Sequence, residues 1–365
     1  MISALPLTLL FLVFAATAPR SREGAACSAL ASSGSRISLV WLLLLSNTAL
    51  AARVERVEKR SIPTQTFPNG TNYVWAVDDT YEGSSFFDTF EFYTGDDPTH
   101  GSVNYTDRNT AFADGLAYVE SDGIVVMKGD NTTSLSEGQN RNSVRISSQK
   151  QYNTGLFILD LDMAPWGCGT SSSHRYPSRH SLILQVSGLR GGRWEAAPGP
   201  GNAGCGVTEW SRASYGPIFD EQGGGVFAMK WDVSGIGVWS FYRAAVPQDV
   251  TNGQPTPSTW GEPVAFLEAS GCDPITNFVN HSIIFDITFC GDWAGNDYGT
   301  SGCPGTCAQR LMDPSNFNNA SWRIRSLTVY RQQIIHGQVT SDATHPILPV
   351  VSLLGVLGIL FGVLM

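Results

Sequence analysis

The chain has 365 residues, 15% of them charged, with a formal net charge of -9. Once terminal signals are set aside, that length holds one large all-β domain or two small ones. A weakly charged, acidic chain excludes nucleic-acid binding as a main role, because neutralising phosphates takes clusters of Lys and Arg.

Residues 1–51 read as a leader region. Leu5–Ala18 is an apolar run that ends Ala16-Thr17-Ala18, an A-x-A cleavage pattern. A second run, Ile37–Leu45, follows Arg36 and ends Ala49-Leu50-Ala51. Its basic flank makes it the better secretory signal. Two tandem signals fit a start site placed too far upstream. Residues 52–66 read as a linker or propeptide, with Lys59-Arg60 as a processing site.

The body, residues 67–335, shows no sustained helical periodicity and no solenoid repeat. Short strand-like segments follow one another: Phe86–Tyr93, Gly123–Met127, Ser143–Ser148, Leu156–Asp162, Val226–Trp231, Gly237–Tyr242, Ser282–Phe289 and Trp322–Tyr330. Clusters of Gly, Pro, Asn and Asp separate them, as in Gly95–Pro98, Gly223–Gly225 and Asn252–Pro257. Such spacing predicts an all-β, two-sheet antiparallel sandwich. In Ser143–Ser148 the alternation puts Val144 and Ile146 on one face and Arg145 on the other. Trp231 and Trp239 read as sandwich core. Asp160 and Asp162 share a strand face and read as a structural pair.

The C-terminal part, residues 336–365, reads as a spacer and an apolar anchor signal. Ile347–Met365 is uncharged and no basic residue follows it. A stop-transfer helix usually keeps Lys or Arg on its cytoplasmic side. A glycolipid-anchor signal is the better fit, with Ser341, Asp342 and Ala343 as small attachment residues; a transmembrane tail is the alternative. Sequons stand at Asn69, Asn104, Asn131, Asn280 and Asn319, each a glycosylation candidate. With Cys27 in the leader, Cys168, Cys205, Cys272, Cys290, Cys303 and Cys307 remain. An even set in a secreted protein predicts disulfides, with the pairing open. No matching His/Cys pair supports zinc at Cys303 and Cys307.

Three blocks are specific: Gly95–Tyr105 (GDDPTHGSVNY), Asn142–Ile146 (NSVRI) and Phe289–Gly295 (FCGDWAG) followed by Gly302–Cys307 (GCPGTC). With Ser214–Pro217 and Gly223–Met229, they resemble fungal laminarinases, endo-β-1,3(4)-glucanases of glycoside hydrolase family 16. The resemblance runs through Phe67–Thr170 and Gly204–Arg331. It implies a concanavalin-like β-jelly-roll with a concave glucan cleft. It also implies retaining hydrolysis of β-1,3/1,4(1,6)-glucans by two glutamates of an E-x-D-x-x-E strand. Retention wants the two carboxyl groups about 5 Å apart. Positions i and i+5 of a regular strand face opposite ways, and a β-bulge restores a common face.

This chain has no E-x-D-x-x-E. The family places the motif between the counterparts of Cys168–Thr170 and Gly204–Gly206. Here residues 170–203 are rich in Ser, Arg, Gly and Pro, with Glu195 as the one acid. That composition resembles an altered reading frame or splice more than an evolved loop. Glu209 has no partner in sequence, and His174 and His180 read as exposed loop residues. No catalytic residue is therefore assigned, and the expected enzyme is impaired; a non-catalytic cell-surface β-glucan-binding protein is the alternative. By the resemblance, Arg145 donates to sugar hydroxyls and Trp293 stacks on a sugar ring. Asp97–Gly101 reads as a structured turn with His100 a structural imidazole. The resemblance allows a structural calcium ion, though no compact ligand set identifies it. The expected protein is secreted, membrane- or wall-tethered and monomeric, with β-glucan as its partner.

Overall fold

The computed structural model describes residues 63–170, 211, 213–270, 273–292 and 294–336. It adds the backbone of three short strands, Thr8–Leu10, Leu182–Leu184 and Cys205–Val207.

Two sheets face one another. The larger has nine strands. Its main path runs Ala265–Glu268, Gly235–Tyr242, Gly225–Asp232, Gly155–Met163, Ser321–Ile334, Asn72–Glu82 and Gln65–Thr66. Val125–Lys128 pairs with the start of Ser321–Ile334, and Ala117–Val119 lies beside Val125–Lys128. All these pairings are antiparallel. The smaller sheet has four strands in the order Thr8–Leu10, His281–Asp286, Arg145–Tyr152 and Phe90–Phe92. Thr8–Leu10 runs parallel to its neighbour; the other two pairings are antiparallel. Among the described residues every helix is one to two turns long, and none is long and apolar enough to cross a membrane. The C-terminal run 347–365 lies outside the described residues.

The period-two rule accounts for the core. Phe157, Leu159 and Leu161 enter the apolar layer between the sheets, while Leu156 and Ile158 enter a second cluster on the far face of the larger sheet. A strand buried on both faces has no polar side to show, which is why Leu156–Asp162 reads as an almost continuous apolar run. Trp231 lies in the inter-sheet core, its indole N–H donating to the Pro274 carbonyl at 3.3 Å. Trp239 does not join it, contrary to expectation. It belongs to the second cluster, covered by Phe241, Val246, Val250 and Trp260. Trp239 pairs with Ala228, and directly opposed residues share a face.

Phe86–Tyr93 is also a correction. Gly83–Thr89 forms a 3-10 helix and only Phe90–Phe92 is strand. Phe86 and Phe87 are adjacent yet both fully buried. A strand would send one of them to solvent, whereas a helical turn lets both reach the core. The strand expected over Ser282–Phe289 stops at Asp286, and Phe289 instead makes an isolated antiparallel bridge with Thr170. Disulfides join Cys168 to Cys303 and Cys290 to Cys307. Cys272 and the side chain of Cys205 lie outside the described residues.

Arg141 is fully buried. Its guanidinium donates to the carbonyls of Asp130 at 2.8 Å, Thr133 at 3.0 Å and Leu311. It also lies 4.9 Å from the Phe317 ring centroid and 3.6 Å from the Asp130 carboxylate. Replacing it removes the donor to three carbonyls and the positive charge beside the buried Asp130 carboxylate. Arg141→Met is expected to lower unfolding free energy by about 3–5 kcal/mol, the cost of removing one partner of a buried charged contact. Urea denaturation measures this, and Arg141→Lys should not restore it, since one ammonium cannot span the fork.

Asp220 gives a pH-dependent expectation. Burial pushes its carboxyl up to about 6, against the Trp166 indole N–H that donates to it at 2.7 Å, with Glu221 raising it further. An unfolded Asp titrates near about 3.9. The folded value is the higher one, so its contribution is full below about pH 3.9 and is lost as pH rises through about 6. Asp220→Asn keeps an acceptor for Trp166 and removes the charge. Its urea midpoint is expected to match that of the unsubstituted protein near pH 4 and exceed it near pH 7.

Candidate functional site

The site is built on the face of the smaller sheet that points away from the core. Val144 and Ile146 are buried inward, while Arg145 and Ser147 take the outer face. The register extends this row by row. Ser147 pairs with Glu91 on one side and Ile284 on the other. Arg145 pairs with Asp286, and its carbonyl accepts from the Tyr93 amide at 2.9 Å. Tyr93, Arg145 and Asp286 therefore stand side by side.

Arg145 donates to the Asp286 carboxylate at 3.0 Å, with both side chains largely enclosed. Its guanidinium lies 5.3 Å from the Tyr93 ring centroid and 6.0 Å from that of Tyr105. Burial raises the Asp286 carboxyl above its ordinary range; Arg145 counters this, and the negative charge of Asp97 adds to the rise. An arginine carries five N–H donors, so one bond to Asp286 leaves others for ligand hydroxyls. Tyr93 is partly exposed beside it. The expected outward Arg145 is thus found on the outer face, but anchored by an acid that sequence reasoning missed. Only register could have shown it, because Arg145 and Asp286 are 141 residues apart.

A second group lies beside this row. The Asp97 carboxylate is buried. It accepts from Thr99 Oγ1 at 2.7 Å, Gly101 N at 2.8 Å, Thr288 Oγ1 at 2.6 Å and the Tyr105 hydroxyl at 3.2 Å. Burial pushes it up, but hydrogen bonds led by Thr288 and Thr99 outweigh this and hold it below its ordinary value. Asp97 and Asp286 are therefore two neighbouring carboxyl groups shifted in opposite directions. They do not form a cleaving pair. Asp97 is enclosed by four donors and Asp286 is bound to Arg145, whereas a nucleophile must come within about 3–3.5 Å of the reacting carbon. His100, in the same turn, is exposed, with Nδ1 at 3.0 Å from the Asp292 carboxylate.

Asp160 and Asp162 are taken up by arginines: Asp160 meets Arg243 at 2.6 Å and Asp162 meets Arg325 at 2.6 Å. Trp293, His174, His180, Glu195 and Glu209 lie outside the described residues. Asn69, Asn104, Asn280 and Asn319 are exposed, and Asn131 is half-buried. Among the described residues no group of three His, Cys, Asp or Glu side chains is placed to hold a metal ion.

The profile of the XgeA-like catalytic domain of glycoside hydrolase family 16 matches residues 90–174 and 190–330, with a break inside the atypical segment. A Schizosaccharomyces pombe protein described as a probable glycosidase is 38% identical over 287 residues, covering 69% of this chain and 68% of that protein. The endo-1,3(4)-beta-glucanase xgeA of Emericella nidulans is 30% identical, over 70% of this chain and 47% of its own length. This chain therefore spans about two thirds of the first relative and under half of the second. Among solved structures, laminarinase 16A from Phanerochaete chrysosporium, holding β-glucans in donor and acceptor sites, is 35% identical with a TM-score of 0.64. It aligns over 71% of this chain and 100% of its own. An elongating family 16 β-1,3-glucosyltransferase is 31% identical with a TM-score of 0.62, over 70% of this chain and 100% of its own. The paired antiparallel sheets and these relatives together place the chain in glycoside hydrolase family 16, with the laminarinase-type β-jelly-roll fold.

Proposed function

We propose that the chain binds β-1,3-linked glucan along the outer face of its smaller sheet, and that hydrolysis by this chain is impaired. The row Tyr93–Arg145–Asp286 carries the reading. It joins an aromatic ring to a fixed donor fork and an acceptor, the combination that sugars require. Glucan in the donor and acceptor sites of the Phanerochaete laminarinase supports the ligand class. The acidic strand is what this chain lacks. Thr170, where the described residues break off, makes an antiparallel bridge with Phe289. The residues that follow in sequence are Ser171-Ser172-Ser173-His174-Arg175, and none can serve as the carboxylate couple that retention needs.

The same reading makes the protein a secreted, monomeric glycoprotein tethered at the cell surface by its C-terminal apolar run. A binding protein without turnover is the form this takes if the groove is filled and nothing is cleaved.

Incubation of the full-length chain with laminarin, followed by reducing-end measurement, tests the impairment. A general acid alone contributes about 10²–10⁴-fold, so release is expected at least about 10²-fold below that of an intact family enzyme. Turnover at the family rate would refute it. Pull-down on insoluble β-1,3-glucan is expected to retain the protein. Arg145→Ala should weaken laminarin retardation in affinity electrophoresis about tenfold, equivalent to about 1.4 kcal/mol. Arg145→Lys should recover only part of it, because an ammonium lacks the fork.

A further inference from the structure

The turn Thr99–Gly101 and the loop Cys290–Gly295 are joined more tightly than two surface segments require. The Asp292 amide donates to the Thr99 carbonyl at 2.8 Å, and the Ser102 amide to the Phe289 carbonyl at 2.7 Å. There is no room for a side chain between them. A Cβ on Gly101 would stand 1.9 Å from Thr288 Oγ1, and one on Gly291 would stand 2.7 Å from the Thr99 carbonyl oxygen. Two of the three non-glycine residues with positive φ among the described residues lie at this junction, His100 at 56° and Cys290 at 54°. That backbone region is disfavoured for L-residues and persists where surrounding structure imposes it. For Cys290 the Cys290–Cys307 disulfide supplies the constraint. For His100 the conformation aims the imidazole across the junction, with Nδ1 at 3.0 and 3.1 Å from the two Asp292 carboxylate oxygens.

We propose that His100 is a positioning residue for glucan binding: as imidazolium it holds Asp292, and through that residue it fixes the Phe289–Asp292 backbone against the turn of Asp97, the carboxylate that holds Tyr105 beside Arg145. This rests on the glucan-binding reading above. The charged groups facing the imidazole are Asp292 from the loop and Asp97 from its own turn. Asp97 stays ionised under its own hydrogen bonds. The hydrogen bond that the imidazole donates to Asp292, together with the charge of that carboxylate, raises the imidazole above its ordinary range. The folded value is the higher one, so the contact is complete in mild acid and is lost as pH climbs through that value. The disulfide and the backbone bonds do not titrate, so the junction loosens without coming apart.

The test uses the full-length chain in laminarin affinity electrophoresis at about pH 5.5 and about pH 8.5, on either side of the histidine range. Binding by the unsubstituted protein is expected to be about three- to fivefold tighter at the lower pH, the range an exposed ion pair supplies. His100→Asn tolerates the same backbone conformation. It and Asp292→Asn are each expected to bind equally at both pH values, at the weaker level. A pH dependence that survives in both variants overturns the proposal. Should the unsubstituted protein show no retardation at either pH, the glucan reading fails by itself. Hydrogen exchange at the Asp292 amide, corrected for the intrinsic rate, then decides the junction. Protection that falls with pH in the unsubstituted protein and not in His100→Asn supports the positioning role; equal protection in the two proteins overturns it.

Discussion

A buried carboxylate, Asp97, is the tie on which the candidate binding face depends. It gathers hydrogen bonds from its own turn through Thr99 and Gly101, from the Val103–Tyr105 strand through Tyr105, and from Thr288 beyond the His281–Asp286 strand. Withdrawing a carboxylate from water costs several kcal/mol unless donors replace the lost hydration. Four donors do so here, and in doing so they tie the turn and the strand that follows it to Thr288, 191 residues away. Tyr105 then stands where its ring flanks Arg145, and Thr99 stands where its carbonyl receives the Asp292 amide. The acid is a fixture of the site, buried and held by four donors.

Two arginines four positions apart show how finely the backbone divides roles. Arg141 belongs to a strand that pairs in parallel with Val103–Tyr105, and Arg145 opens a strand that pairs antiparallel with His281–Asp286. The change of partner falls at Val144. On one side the guanidinium is sealed among carbonyls; on the other it faces outward beside tyrosines. Arg243, just past the Gly235–Tyr242 strand, and Arg325, on the larger sheet, do a third kind of work, neutralising Asp160 and Asp162.

Fold and chemistry separate cleanly in this chain. The larger sheet and the Arg145–Tyr152 and His281–Asp286 strands lie outside residues 171–203. The described members of the inter-sheet core lie outside that segment as well. Burial of apolar area and placement of two carboxyl groups are independent demands, so the layers of the fold do not by themselves decide the chemistry.

The sequence by itself determined the all-β class, the presence of strands about Leu156–Asp162, Val226–Trp231 and Gly237–Tyr242, and the outward side of Arg145. Those follow from period-two alternation and turn chemistry, which are local properties. It also determined that no E-x-D-x-x-E stands between Thr170 and Gly204. Tertiary structure alone decided that Arg145 meets Asp286, that Tyr105 and Thr288 share Asp97, and that Trp239 packs outside the sandwich. It also turned Phe86 and Phe87 inward together and paired Cys168 with Cys303. Each of these depends on register or on which face of a sheet a neighbour covers. Both are set by contacts between segments distant along the chain, where alternation within one segment carries no information.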